Sequence, residues 1–323
     1  AVALDAGVPS ESSEFKFGRN GLLQARALVA ETDPVLADID SQHEAGVALS
    51  AGYRGDLVSA DIGSTPVGFE RVQVVGGVSV SPSLSRYAKG KAWFERRPVT
   101  DSLLSYAGTR DPVTGGYWGA VMKTSGGLSV SYDKEGTGVY VEGAYSDYDG
   151  VNVLENSGLE LNVGGYLLAM SRKSADLKVG INGNYQTFDN NQNLYTFGHG
   201  GYFSPQSFLS VSFPVRYQLS TEQFEASASV SPGYQSFEQD SVPFFPTDAA
   251  AQGELDALAL LDSDVLAYHE GSSETGFGIN LQGTTYFKIG PDTSIGGEVK
   301  LDTFGEYNEF VTMFGIRQKF GAR

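Results

Sequence analysis

From residue 43 onward, hydrophobic and polar positions alternate with a period of two along most of the chain. The clearest case is residues 175–188, where Leu177, Val179, Ile181 and Tyr185 alternate with Asp176, Lys178, Asn182, Asn184 and Gln186. Residues 206–218 repeat it, with Leu209, Val211, Phe213, Val215 and Tyr217 set against Ser210, Ser212, Arg216 and Gln218. Successive side chains of a strand point to opposite faces, so each run predicts a strand with one apolar and one polar face. Similar runs cover 44–54, 67–80, 128–132, 137–146, 158–171, 222–236, 275–288, 293–303 and 310–320, with a weaker one at 85–97, about twelve strands in all. Many reach ten residues or more, whereas strands of soluble domains usually have about five or six.

The intervening segments alternate in length. Short ones fall at 81–84, 133–136, 172–174, 220–221 and 290–292, and longer ones at 98–126, 147–157, 189–205 and 237–274, with a brief last one at 304–309. Short turns on one side and long loops on the other is the layout of an outer-membrane barrel. In the last strand Phe310, Phe314, Ile316 and Phe320 point one way and Arg317 and Lys319 the other, and Gly321, Ala322 and Arg323 follow the final aromatic. Pro214 and Pro232 fall inside strands, where each removes a ladder donor and predicts a bulge. A soluble β-sandwich or propeller also alternates, with its apolar face as core. Strand length and loop asymmetry favour the membrane barrel.

Ahead of the strands the pattern changes. Residues 1–17 are small and polar and predict a flexible linker. Residues 18–42 predict a helical segment, with Leu22, Leu23, Ala27 and Leu28 at helical spacing and a second turn starting at Asp33-Pro34. This helix is expected on the periplasmic side, ahead of a barrel spanning 43–323. A helix-like stretch at 249–261 lies within the longest loop and is either a cap on the outer mouth or a loose surface loop.

Composition supports an all-β chain: 41 Gly, 19 Phe and 17 Tyr, with no Cys. The lack of Cys excludes a disulfide framework and a thiolate metal site. A formal charge of −17 argues against a nucleic-acid partner, which needs a concentrated basic surface. Apolar runs such as 166–170 are too short for a spanning helix of about 20 residues, so a membrane is crossed by strands or not at all. With three His and no zinc-binding, phosphate-loop or nucleophile-elbow motif, no enzymatic constellation emerges and no cofactor is implied. Carboxylate pairs such as Glu142 and Glu160 are expected by chance among 39 acidic residues.

Two segments carry a resemblance. One runs Phe94-Glu-Arg-Arg-Pro-Val-Thr-Asp-Ser-Leu-Leu-Ser-Tyr-Ala-Gly108, followed by Asp111-Pro112 and Trp118-Gly119. The other runs Tyr195-Thr-Phe-Gly-His-Gly-Gly-Tyr-Phe-Ser-Pro-Gln206, followed by Pro214-Val-Arg-Tyr217. Both resemble the C-terminal barrel domain of the cellulose export porin, the outer-membrane component of bacterial cellulose synthase, and the likeness extends more loosely from about residue 44 to the end. It implies a barrel of sixteen strands, four more than the pattern shows, hidden as hairpins in 55–66, 98–126, 189–205 or 237–274. It also implies a preceding tetratricopeptide array that reaches the inner-membrane synthase, with residues 18–42 as its last helix.

The expected function is an outer-membrane channel through which a synthase pushes a neutral exopolysaccharide, cellulose first among the candidates. A general porin, an exporter of another glycan, a soluble carbohydrate-binding module and a glycan-modifying enzyme are the alternatives. Strand parity sends Tyr140, Glu142, Asn182, Asn184, Gln186, Arg216, Gln223, Gln282 and Tyr286 to the lumen, where polar groups would also simply solvate any wide barrel. Loop clusters are the sharper candidates: Arg96, Arg97, Asp101, Tyr106 and Trp118, and His199, Tyr202, Phe203 and Gln206. Each group either touches the passing glycan or latches a loop, for example Arg97 onto Asp101. Gly198, Gly200 and Gly201 predict a tight turn.

Overall fold

A computed structural model describes residues 2–10, 13–305 and 308–318. Residues 319–323, including Phe320 and Lys319 of the last strand, lie outside them. The strands are β1 (Val2–Ala6), β2 (Gln42–Gly46), β3 (Ser50–Arg54), β4 (Val58–Ser64), β5 (Val74–Val80), β6 (Ala88–Pro98), β7 (Thr109–Arg110), β8 (Tyr117–Lys134), β9 (Thr137–Val151) and β10 (Asn156–Arg172). They continue as β11 (Ala175–Phe188), β12 (Ser207–Ser212), β13 (Val215–Ser220), β14 (Phe224–Gln239), β15 (Val242–Pro243), β16 (Tyr268–His269), β17 (Ser272–Lys288), β18 (Thr293–Asp302) and β19 (Glu309–Gln318). Three helices, α1 (Asn20–Val29), α2 (Leu103–Tyr106) and α3 (Ala249–Ala259), sit in the connections.

The main sheet is an antiparallel meander in the order β19-β18-β17-β14-β12-β11-β10-β9-β8-β6-β5-β4-β3. β12 and β13 form one strand position interrupted at Phe213 and Pro214, since both pair with β11 and with β14. β1 pairs with β2, and β2 runs on toward β3 through Val47, which bridges to Val67. Among the described residues the path therefore has thirteen positions, against twelve read from the pattern and sixteen implied by the resemblance, and no ladder joins β3 to β19. The strand that the pattern missed is β4, a short Ser- and Gly-containing run inside 55–66. The segment 189–205 holds no hairpin, and 237–274 holds only the two-residue ladder of β15 with β16. The expected loop 147–157 shrinks to 152–155 because β9 and β10 continue into it.

The distribution of apolar side chains settles which kind of β protein this is. Leu128, Val163, Ile181, Leu209 and Phe277 are exposed on the strands. On the opposite face polar side chains line cavities, Ser59, Asp61, Lys91, Glu142 and Glu160 on one wall and Asn182, Arg216, Ser229 and Gln282 on another. The polar face is thus the enclosed one and the apolar face the outer one, the inverse of a soluble sandwich and the arrangement of a transmembrane barrel. Leu128→Arg should therefore weaken the sheet by about 2–4 kcal/mol, the cost of a cation on the lipid face, whereas Ser129→Arg on the opposite face leaves it near wild type. Equilibrium urea unfolding in lipid vesicles measures both, and equal losses would sink this assignment of faces.

Sharp turns join the strands at one end. Glu135 and Gly136 connect β8 to β9 with φ of 56° and 82°, the two-residue turn whose twist matches a hairpin. At the other end lie 65–73, 99–116, 189–206 and 240–271, and here the buried apolar residues gather. Leu22, Trp118, Phe197, Tyr202, Phe244 and Leu255 share one core.

That core corrects the reading of the N-terminal segment. Residues 1–17 include β1 and a turn of 3-10 helix at Glu14–Lys16 rather than a free linker. The helix α1 is formed, but it packs against α3 at the long-connection end, not beside the short turns where a periplasmic helix was expected. Its apolar stripe, with Leu22 and Ala25 buried, finds its partner in Phe244 and Leu255. Asp33-Pro34 starts no second helical turn, and residues 33–41 are irregular.

Candidate functional site

Two features concentrate polar and aromatic side chains, the wall of the enclosed face and the packed mouth. On the wall, Gln186 Nε2 donates to Asn184 Oδ1 at 3.0 Å, and Asn184 Nδ2 donates to Asn162 Oδ1 at 2.8 Å. Asn162 Nδ2 in turn donates to Glu160 Oε1 at 3.0 Å, so four side chains of β10 and β11 form one hydrogen-bonded track. Tyr140 donates to Asn182 Oδ1 at 2.9 Å. Arg216 lies in the same cavity as Tyr140, Asn182 and Gln282, and Tyr286 and Glu142 also line the enclosed face. Gln223 does not: it sits in the short turn before β14, where its carbonyl accepts from Lys288 N–H.

The structure separates Arg96 from Arg97, as neighbours on a strand must be. Arg97 faces the enclosed side, bonded to both oxygens of Asp61 at 2.6 Å and to Glu95 at 3.2 Å. Its partner is therefore not Asp101, because Pro98 ends the strand and turns the chain away. Arg96 forms a two-pronged pair with Asp149 at 2.7 and 2.8 Å and reaches Thr124.

At the mouth the two family-like segments meet. Asp101 Oδ2 accepts the N–H of Phe203 at 3.0 Å, and Ser102 Oγ donates to the carbonyl of Gly201 at 2.6 Å. Gly201 has φ of 64° and Gly198 φ of 107°, which is the tight turn expected of the glycines. Tyr202 stacks on Tyr148 with centroids 5.2 Å apart, and its hydroxyl accepts from Asn156. Phe203 packs edge-on against Phe208 and Phe237, while Gln206 accepts from Asp240 N–H and donates to the Ser204 carbonyl. Trp118 is fully buried between Phe17 and Phe197. Tyr106 packs edge-on against Phe69, with its hydroxyl pKa pushed up by burial. These contacts give the loop residues the geometry of latches, whereas Arg97 and Arg216 line the enclosed wall.

His199 is fully buried, with Nε2 on the Pro243 carbonyl at 3.0 Å, and it stands edge-on to His269 at 5.7 Å. His269 lies flat on Phe244 at 3.9 Å and shares a hydrogen bond with Thr196. Burial holds both imidazoles below their ordinary pKa, His199 at about 4 and His269 at about 3, with the neighbouring His199 and Lys16 lowering His269 further.

Sequence reasoning missed Arg19. Its guanidinium bonds Asp111 at 2.9 Å and Asp248 at 2.7 Å and lies over the Phe197 ring at 3.6 Å, so one side chain joins three long connections and α1. A signal existed: a cation directly ahead of a helix is disfavoured by the helix dipole, which marks a tertiary role. Asp248 caps α3 as well, and the Ala251 N–H and then Arg19 hold its carboxyl below the usual range.

The comparisons agree on one family. The family model of the cellulose synthase operon protein C C-terminus matches residues 1–321. The chain is 34% identical over 288 residues to cellulose synthase operon protein C of Xanthomonas axonopodis pv. citri, covering 86% of this chain and 19% of that protein. It is 33% identical over 324 residues to the protein of that name from Pseudomonas fluorescens, covering 99% of this chain and 23% of the relative. It thus spans about a fifth of the length of these relatives. Among solved structures, a bacterial polysaccharide outer membrane secretin superposes with a TM-score of 0.53 at 11% identity, over 85% of this chain and 80% of the other, a likeness of fold.

Proposed function

The chain belongs to the family of cellulose synthase operon protein C C-termini, and from that premise we propose that it forms the outer-membrane passage for a neutral β-glucan, cellulose, pushed through by an inner-membrane synthase. The observation that carries the proposal is the enclosed wall of amides, hydroxyls and flat aromatic rings behind an outer face of exposed aliphatic side chains. Such a wall offers a polyhydroxylated chain many weak contacts, which sliding requires. The outer face speaks against a soluble carbohydrate-binding module. The packed mouth speaks against a general porin, because small solutes would meet a buried core instead of open water.

In this proposal the short turns face the periplasm and the mouth built from α1, α2, α3 and the long loops faces outward. The candidates Asp101, Tyr106, Trp118, His199, Tyr202, Phe203 and Gln206 then keep the mouth closed, and Arg97 and Arg216 belong to the path. The remaining four fifths of the relatives' length would carry the link to the synthase. Deleting the segment corresponding to residues 43–318 from the full-length protein in its host should abolish surface cellulose, measured by dye binding, while glucan synthesis in isolated membranes continues. Unchanged surface cellulose would rule the passage out.

A further inference from the structure

Three rings on the enclosed face lie across glycines. Trp93 stands opposite Gly127, Tyr166 opposite Gly138 and Tyr286 opposite Gly296. A Cβ built on any of these glycines would run into the facing ring, so each ring rests on bare backbone with one face against the wall and the other toward the lumen. A flat ring with one free face is the shape on which a sugar ring stacks through its C–H groups. None of the three free faces is vacant, however. Lys91 Nζ lies 4.8 Å from the Trp93 centroid, Lys178 Nζ 4.8 Å from Tyr166 and the Arg317 guanidinium 3.5 Å from Tyr286.

Each cation lines the same cavity as the ring that it covers. The covering comes from different directions: Lys91 is two residues before its ring on one strand, Lys178 is on the next strand, and Arg317 reaches across β18. Tyr140 lies across Gly164 in the same way, but it is held by its hydrogen bond to Asn182, and among the described residues no cation lies over it.

We propose that Lys91, Lys178 and Arg317 are lids on sugar-stacking platforms, and that by occupying the ring faces they keep the wall from gripping a neutral glucan. The inference rests on the export reading above and adds a specificity device to it. A polymer that found three open platforms would be held at each of them. A lid that a sugar must displace makes every such contact weaker and shorter-lived, while Tyr140 remains as an open contact.

The test is a calorimetric titration of the detergent-solubilised protein with cellohexaose, comparing wild type, Lys91→Met, Lys178→Met and the double variant Lys91→Met with Trp93→Ala. Methionine keeps the length of the stem and removes the charge, and a heat-modifiable gel shift shows which variants hold the barrel. Each single variant is expected to bind about two- to fivefold tighter, the worth of an exposed cation–π contact, and the gain at Lys91 is expected to vanish when Trp93 is gone. Singles that bind no tighter than wild type, or a gain that survives the loss of the ring, would overturn the lids. Surface cellulose from cells carrying the wild type is read separately, so failed lids and a failed export reading give different results.

Discussion

Under the export reading, Arg19→Ala should turn a silent barrel into a conducting one. In the wild type this guanidinium bonds the Asp111 carboxylate, whose side chain is fully buried, and the N-capping carboxylate of α3, while resting on Phe197. Removing the cation strands Asp111 inside the mouth. Breaking a buried pair from one side typically costs about 3–5 kcal/mol, because the remaining charge is left uncompensated. That amount is enough to shift a locally folded cap toward its open state many-fold, since each 1.4 kcal/mol is a factor of about ten. Arg26, within α1, pairs with Glu254 in the open and should matter far less, as exposed pairs contribute about 0–1 kcal/mol. Planar-bilayer recordings should show sustained current for Arg19→Ala, little for Arg26→Ala, and recovery toward silence for Arg19→Lys. A silent Arg19→Ala channel that still shows the heat-modifiable shift of an intact barrel would refute the bolt.

Acid should loosen the same mouth through its histidines. Both are neutral when packed, with pKa values of about 4 for His199 and about 3 for His269, and both return to about 6.5 when the loops open. The open state therefore binds more protons at pH below 6.5. The stability of the packed mouth is fully present above about pH 6.5 and is lost as pH falls from there toward 4 and 3. The slope is up to about 1.4 kcal/mol per pH unit for each ring. Hydrogen exchange in residues 191–205 and 242–269 should accelerate sharply between pH 7 and pH 4.5 while β10 and β11 stay protected. His269→Gln, which cannot take up a proton, should remove about half of the response. Equal protection at both pH values would leave the histidines as plain packing.

What was legible in the sequence divides along physical lines. Strands that face lipid on one side and water on the other must alternate strictly, so Leu177 through Gln186 could be assigned to faces without any tertiary knowledge. β4 escaped because its Ser and Gly positions blur that contrast. The mouth obeys a different rule: Trp118, Tyr202 and His199 are buried by partners far away in the chain, and no local period records them. The two family-like segments do meet, because Asp101 holds the Phe203 N–H and Ser102 the Gly201 carbonyl. Yet Arg97, which looks like part of the loop cluster, belongs to the wall, and Asp111 and Arg19 meet across 92 residues of chain. The helix of residues 20–29 was legible as a helix, but its place was not, since an apolar stripe says that a partner exists and not where.

Among the described residues the packed hydrophobic core gathers in the mouth, away from the exposed aliphatic face of the sheet. Two solvents have therefore written two codes into one polypeptide. Lipid and backbone ladders hold the sheet together, with aliphatic groups turned outward, whereas expulsion of water holds the cap, with aliphatic groups turned inward. The two parts can drift apart in evolution: the cap is free to change its packing as a small water-soluble domain would, while the sheet answers only to bilayer thickness and strand register.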